Sequence, residues 1–177
     1  RCIRRASGVI TVGDELTARA KELAPNVPSY TLPDLPLEVG EWPSAAEVDE
    51  LRKSFALEGK RVIVYTGNFE PYQGLDLLLE SFARMKHLAD HADVKLLLVG
   101  GGTGSSELNT RYRKLSEALG IHHDVIFAGQ RPGSEMAAFM ELATVLASPR
   151  GDGNNPPLKI YSYMAAQKPM VATTISS

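Results

Sequence analysis

The stretch 61-RVIVYTGNFEPYQGLDLLLESFARMKHLADHADVKLLLVG-100 decides the fold of this chain. It opens with a continuous apolar run closed by glycine, RVIVYTG (61–67), and ends with a second of the same kind, VKLLLVG (94–100). A helical pattern from about Gly74 to His87 lies between them. Strands that are apolar on both faces, each followed by a helix, belong in a parallel sheet covered on both sides. Downstream the alternation goes on. A polar helix near 106–119 precedes the strand DVIFAG (124–129), and a helix over 133–142 precedes the strand TVLAS (144–148). A last helix leads into PMVATT (169–174). The prediction is an α/β fold with a doubly wound, mostly parallel, Rossmann-like sheet.

Upstream the pattern is shorter. GVITV (8–12) is a brief β-rich run, Gly13-Asp14 leads into a helical stretch through Leu23, and another extended run lies near Ser29–Leu32. Four prolines between Pro28 and Pro43 read as a linker. Ser44 is placed to cap a helix over 45–57. Residues 1–35 are therefore expected to be the tail of one domain with its linker, and 36–177 a second, incomplete domain. Because the chain starts at Arg1 in mid-pattern and ends soon after its last strand, a fragment truncated at both ends is expected.

Composition excludes several classes. Apolar residues make up 44% and charged residues 23%, ordinary for a globular protein. A net charge of -2 gives no basic field for nucleic acid or an anionic membrane surface. The single Cys2 allows neither an internal disulfide nor a multi-cysteine zinc site, which fits a reducing, cytoplasmic setting. No apolar run approaches the roughly 18 residues of a membrane span.

In doubly wound sheets ligands bind at the carboxyl ends of the strands. The informative loops are thus 67–74, 100–106, 129–134 and 148–158. The last, SPRGDGNNPPL, carries Gly151 and Gly153, which let backbone approach a ligand, with Arg150 and Lys159 near the same opening. An anion site at the following helix N-terminus and a plain structural cap by Asn155 are both open. VGGGTGSSE (99–107) does not form G-x-G-x-x-G, and no G-x-x-x-x-G-K-[ST] occurs. GNFEPYQG (67–74), with Glu70 and Tyr72, reads as a turn about Pro71. His87, His91, His122 and His123 fall in helix ends or connections and read as exposed. G-x-S-x-G is absent, and Asp152 stands alone in its loop with no second carboxylate beside it, so no catalytic base emerges.

Taken in order, VIVYTGNFEPYQGLDLLLESF, VKLLLVGGG, VIFAGQRP and ATVLASPRGDGNNPPLKIYSYMAAQKPMVAT resemble the carboxyl-terminal domain of retaining GT-B glycosyltransferases of the group 1, or family 4, type. The resemblance covers roughly 45–175. It implies a glycosyltransferase of hexosyltransferase type, acting in polysaccharide, glycolipid or glycoconjugate synthesis, with a nucleotide-diphosphate-sugar donor site on this domain. A UDP- or GDP-sugar would be the donor substrate, with no metal and no other cofactor. The acceptor, a glycan or lipid-linked molecule, would bind a preceding amino-terminal domain, which would also carry any peripheral membrane attachment. The fragment alone is expected not to turn over.

Several positions depart from the family pattern. Its first loop usually carries Arg and Lys on the diphosphate, as in G-R-x(4)-K-G, and the matching positions after Gly67 are Asn68 and Gln73. Two glutamates about the last helix would contact sugar and ribose, and Asn154 and Ser162 stand there instead. Gln167 takes the place of a glycine. What the resemblance leaves for the donor is Asn155, Pro156, Pro157, Leu158 and Lys159 at the helix start, the backbone at Gly129, Gln130 and Arg131, and the turn at Gly101 and Gly102. Phosphates are expected on the 155–159 amides, with Arg150 as main countercharge. Two further readings stand beside this one. The domain could hold nucleotide or glycan without catalysis, for which the four substitutions speak. A dehydrogenase-like enzyme is disfavoured by the failed dinucleotide fingerprint.

Overall fold

The computed structural model describes residues 2–33, 41–88, 91–101, 106–152 and 157–174. Near the start, β1 (Val9–Thr11), α1 (Asp14–Leu23) and β2 (Ser29–Thr31) make a small βαβ unit with parallel strands. The hydroxyls of Thr17 and Thr31 lie 2.7 Å apart, and Thr31 donates onward to Asp14 Oδ1 at 2.7 Å. This sheet is separate from the main one. Helix α2 (Ala45–Ser54) begins with a capping box, in which Ser44 Oγ accepts from the Glu47 amide and the Glu47 carboxylate accepts from the Ser44 amide. It ends at Ser54 rather than 57, because Ala56 turns to a φ of 52°, which no helix continues.

Five strands build the main sheet: β3 (Arg61–Gly67), β4 (Val94–Gly100), β5 (Val125–Gly129), β6 (Val145–Ser148) and β7 (Met170–Ala172). Their spatial order is β5-β4-β3-β6-β7, every pair parallel. The connections carry α3 (Leu75–Lys86), α4 (Ser106–Ala118), α5 (Met136–Glu141) and α6 (Lys159–Ala165). The helix predicted over 133–142 is split into a tight turn at Gly133–Glu135 and the short α5.

Strand alternation divides the core into two layers. On one face Tyr65, Leu96 and Leu98 pack with Leu75, Leu79 and Phe82 of α3 and Tyr112 of α4. On the other, Val62, Val64, Leu97 and Val99 pack with Phe139 and Met140 of α5 and Tyr163 of α6. Each fully buried Leu or Phe removes enough apolar area to contribute about 1.5–3 kcal/mol. Burial on both faces is what the continuous apolar runs of β3 and β4 require.

Chain order runs outward from β3 to β4 and β5 on one side, then returns to β6 and β7 on the other. The topological switch point therefore lies between β3 and β6. Loops leaving it diverge and open a crevice at the carboxyl ends of those strands.

Candidate functional site

Three glycines let the strand exits close on one another. β3 and β4 end in register, Gly67 opposite Gly100. A Cβ on Gly100 would stand 1.8 Å from the Gly67 carbonyl oxygen, and one on Gly74 would stand 2.1 Å from the Pro149 carbonyl oxygen. At Gly67 a Cβ would meet the Lys159 Nζ at 2.9 Å. All three have positive φ, at 142°, 134° and 74° for Gly67, Gly100 and Gly74. The backbones after β3 and β4, and those of Gly74 and Pro149, so approach one another where a side chain on either glycine would clash.

Helix α6 is fixed under this convergence by Tyr163. Its buried hydroxyl accepts from the Thr66 amide at 2.9 Å and reaches the Ala147 carbonyl at 3.4 Å, joining β3 and β6 at the switch point. One turn earlier, Lys159 is carried to the glycine mouth. Its Nζ lies 4.0 Å from the centre of the Tyr65 ring and donates to Gln73 Oε1 at 3.1 Å. Burial, and then the nearby Arg150 guanidinium, push this ammonium down to about 7. Among the described residues no carboxylate pairs with it.

Beside the lysine, a cavity of about 360 Å³ opens across the ends of β3, β4 and β5. Gly67, Asn68, Gly101, Gln130 and Arg131, all predicted from the sequence, line it, together with Glu70, Val99, Gly100 and Met136. Gly129 ends β5 directly beneath Gln130. Arg131 donates from Nε to the Ala128 carbonyl at 3.1 Å and lies 5.7 Å from the Phe55 and Phe139 rings. Exposed Asn68 donates to the Tyr72 hydroxyl at 3.4 Å.

The remaining predicted residues divide. Gln73 joins the site through Lys159. Arg150, expected to be the main countercharge, donates from Nε to the Asp152 carbonyl at 2.7 Å and lies 5.5 Å from the Tyr72 ring. It is the Lys159 ammonium, not the Arg150 guanidinium, that meets Gly67. The cap position of α6 falls on Leu158 and carries no side-chain cap bond. The helix starts tightly, with the Ile160 and Tyr161 amides donating to the Pro157 and Leu158 carbonyls at 3.0 and 3.1 Å. Ser162 is half-buried on α6, one turn beyond Lys159. Gly102, Asn154, Asn155 and Pro156 lie outside the described residues.

Sequence reasoning missed Tyr65 as a site residue, since it reads as one more apolar position of β3; the signal was an aromatic just before the exit glycine. Glu70 and Met136 were missed as well. His91, read as an exposed loop residue, is half-buried, with a buried Nδ1 lacking a hydrogen-bond partner. No helix among the described residues is long and apolar enough to cross a membrane.

The family model of glycosyl transferases group 1 matches residues 60–177. The D-inositol 3-phosphate glycosyltransferase of Corynebacterium diphtheriae is 29% identical over 89 residues, which are 50% of this chain and 21% of that protein. The phosphatidyl-myo-inositol mannosyltransferase of Mycobacterium leprae is 30% identical over 142 residues, 77% of this chain and 36% of that one. Among solved structures, HepE of Anabaena in complex with UDP and glucose superposes with a TM-score of 0.80 at 18% identity, over 98% of this chain and 46% of that one. WaaG, a glycosyltransferase involved in lipopolysaccharide biosynthesis, gives a TM-score of 0.74 at 17% identity, over 94% and 44%. The chain thus spans about a fifth to a third of the curated relatives and just under half of the solved chains it resembles. The solved structures share its α/β fold.

Proposed function

Because the chain belongs to the glycosyl transferases group 1 family, we propose that it is the donor-binding half of a glycosyltransferase, and that a nucleotide-diphosphate-sugar lies across the carboxyl ends of β5, β4 and β3 toward α6. One observation carries the reading. The glycine-lined meeting of the strand exits sets a buried ammonium, Lys159, against Gly67, which itself lines a cavity of about 360 Å³. A nucleotide-sugar is the ligand class that needs both, a cation for the diphosphate and open backbone for a flat base and a sugar. HepE is solved with UDP and with UDP-glucose, which favours a uridine donor here. The base would lie by Gly129–Arg131 and the diphosphate by Gly67, Asn68 and Lys159.

The chemistry of that site is electrostatic. Transfer breaks the bond between the sugar C1 and the diphosphate oxygen, and negative charge builds on the departing diphosphate. A preoriented cation there stabilises the transition state more than the ground state. The acceptor hydroxyl oxygen bonds to the sugar C1 with retention of configuration, its proton passing to the departing diphosphate oxygen, and the acceptor is held by a partner domain rather than by the crevice.

The test is a thermal titration of the chain with UDP-glucose, GDP-mannose and ADP-glucose. Ligand at about a hundred times its Kd adds roughly 2.7 kcal/mol of stability. A raised midpoint with one of the three supports the reading and names the base. Unmoved midpoints with all three sink it.

A further inference from the structure

We propose that Lys159 receives the anion of this crevice and that the anion and one proton enter the site together. The proposal rests on the donor-site reading above and adds its regulation by pH.

The geometry carries it. The Lys159 side chain runs from α6 under the β3 exit, with the Tyr65 ring 4.0 Å from Nζ and the Gln73 amide oxygen at 3.1 Å. The ring face and the amide oxygen are neutral, so they stabilise an ammonium without balancing its charge. The charged or titratable groups about it are Tyr65 on β3, Arg150 after β6 and, one turn on along α6, Tyr163, while the neighbouring cavity carries Glu70 and Arg131 in its lining. Arg150 is a like charge and opposes protonation. Tyr65 and Tyr163 are both pushed up by burial, Tyr163 to about 12, and stay neutral through the physiological range. Lys159 is thus a buried base among neutral partners with a cationic neighbour.

A charge in that position is costly until an opposite charge arrives. The glycine at position 67 leaves room for the Nζ at the β3 exit, since a Cβ there would stand 2.9 Å from it and 3.1 Å from the Tyr65 hydroxyl. A diphosphate in the cavity supplies two negative charges within reach of that opening. The same anion makes the protonated form favourable, and the lone pair of the amine takes a proton from solvent as the ligand binds. With its pKa pushed down to about 7, the lysine has that proton to gain just above neutrality.

Calorimetric titration of the chain with UDP-glucose, GDP-mannose and ADP-glucose, in pairs of buffers of different ionisation enthalpy, tests this. These diphosphates are fully ionised from pH 6.5 to 8.5, so ligand titration does not intrude. The best-binding sugar nucleotide should lose roughly ten- to thirtyfold in affinity across that range and should take up nearly one proton at pH 8. Lys159→Arg, whose charge does not titrate, should keep the affinity within about fivefold and lose both the pH dependence and the uptake. Lys159→Gln should bind at least tenfold more weakly at pH 6.5 and take up no proton. Binding by the wild type with a flat pH profile and uptake below about 0.2 proton overturns the coupling and leaves the donor reading intact. Uptake that persists in Lys159→Gln does the same. No binding of any of the three overturns both.

Discussion

The Tyr163 hydroxyl accepts the Thr66 amide at 2.9 Å, so one buried phenol takes the place of a strand neighbour at the carboxyl end of β3. β6 pairs with β3 only at Ile63 and Val64, and the backbone beyond needs another partner. In Tyr163→Phe the Thr66 amide stays buried with no acceptor, which costs about 1–3 kcal/mol. For a chain of this size that lowers the thermal midpoint by roughly 2–4 °C per kcal/mol. Nucleotide affinity should fall with it, because the same bond holds α6 and hence Lys159. A midpoint within 1 °C of wild type would show that the bond contributes nothing net.

The glycines of the crevice should differ sharply from those of surface turns. Gly100→Ala forces a Cβ to within 1.8 Å of the Gly67 carbonyl at a φ of 134°. Backbone must move, and a loss well above 3 kcal/mol in urea unfolding is expected. Gly120→Ala has a φ of 69° and nothing within 4 Å, so only left-handed strain of about 1–2 kcal/mol remains. Equal losses in the two variants would mean that the strand exits do not meet as described.

Asp124 anchors the opposite end of the sheet. Its carboxylate accepts from Lys95 at 2.6 Å and from Lys86 at 2.9 Å, linking the start of β5 to β4 and to the end of α3. Burial works to raise this carboxyl, but the two ammoniums outweigh it and hold it below its ordinary value. A depressed carboxylate contributes stability that is present above the unfolded value and is lost as pH falls through the folded one. Asp124→Asn should therefore cost about 1–3 kcal/mol at pH 7 and show a smaller loss of stability than wild type on acidification to pH 3. Parallel acid titration curves for the two proteins would remove this role.

The sheet was legible because β3 and β4 are apolar on both faces and end in glycine, a pattern that admits few other folds. Their predicted limits, 61–67 and 94–100, are those observed. Ser44 was legible as a cap because its partner Glu47 follows within the first turn. The site was legible only by loop. That Gln73 meets Lys159 depends on β6 lying next to β3, a consequence of topology that no local spacing carries. Arg150 looked the stronger anion partner in sequence because arginine forks suit phosphate. Its contacts, with the Asp152 carbonyl and the ring of Tyr72, follow from the loop's turn and are not carried by sequence position. The start of α6 was misjudged for a related reason: prolines permit a helix start without fixing its position, and the first α-helical residue is Lys159.

The cost of burying Lys159 should be visible in stability alone, without any ligand. Folding lowers its pKa from an ordinary value of 10.5 to about 7, with burial first and Arg150 second. Between those values the unfolded chain binds a proton that the folded chain does not, so stability rises with pH across the window. Below about 7 both states are protonated and the full penalty applies. Between pH 7 and 9 the gain attributable to this side chain is roughly 2 kcal/mol. Lys159→Met keeps much of the apolar stem and removes the charge. Urea unfolding at pH 7 and pH 9 should then give a rise for wild type that exceeds the rise for Lys159→Met by about that amount. Other groups titrate identically in the two proteins and cancel in the difference. Equal rises would mean that the ammonium is as well solvated in the folded chain as in the unfolded one, which the Tyr65 ring and the Gln73 amide packed about it argue against.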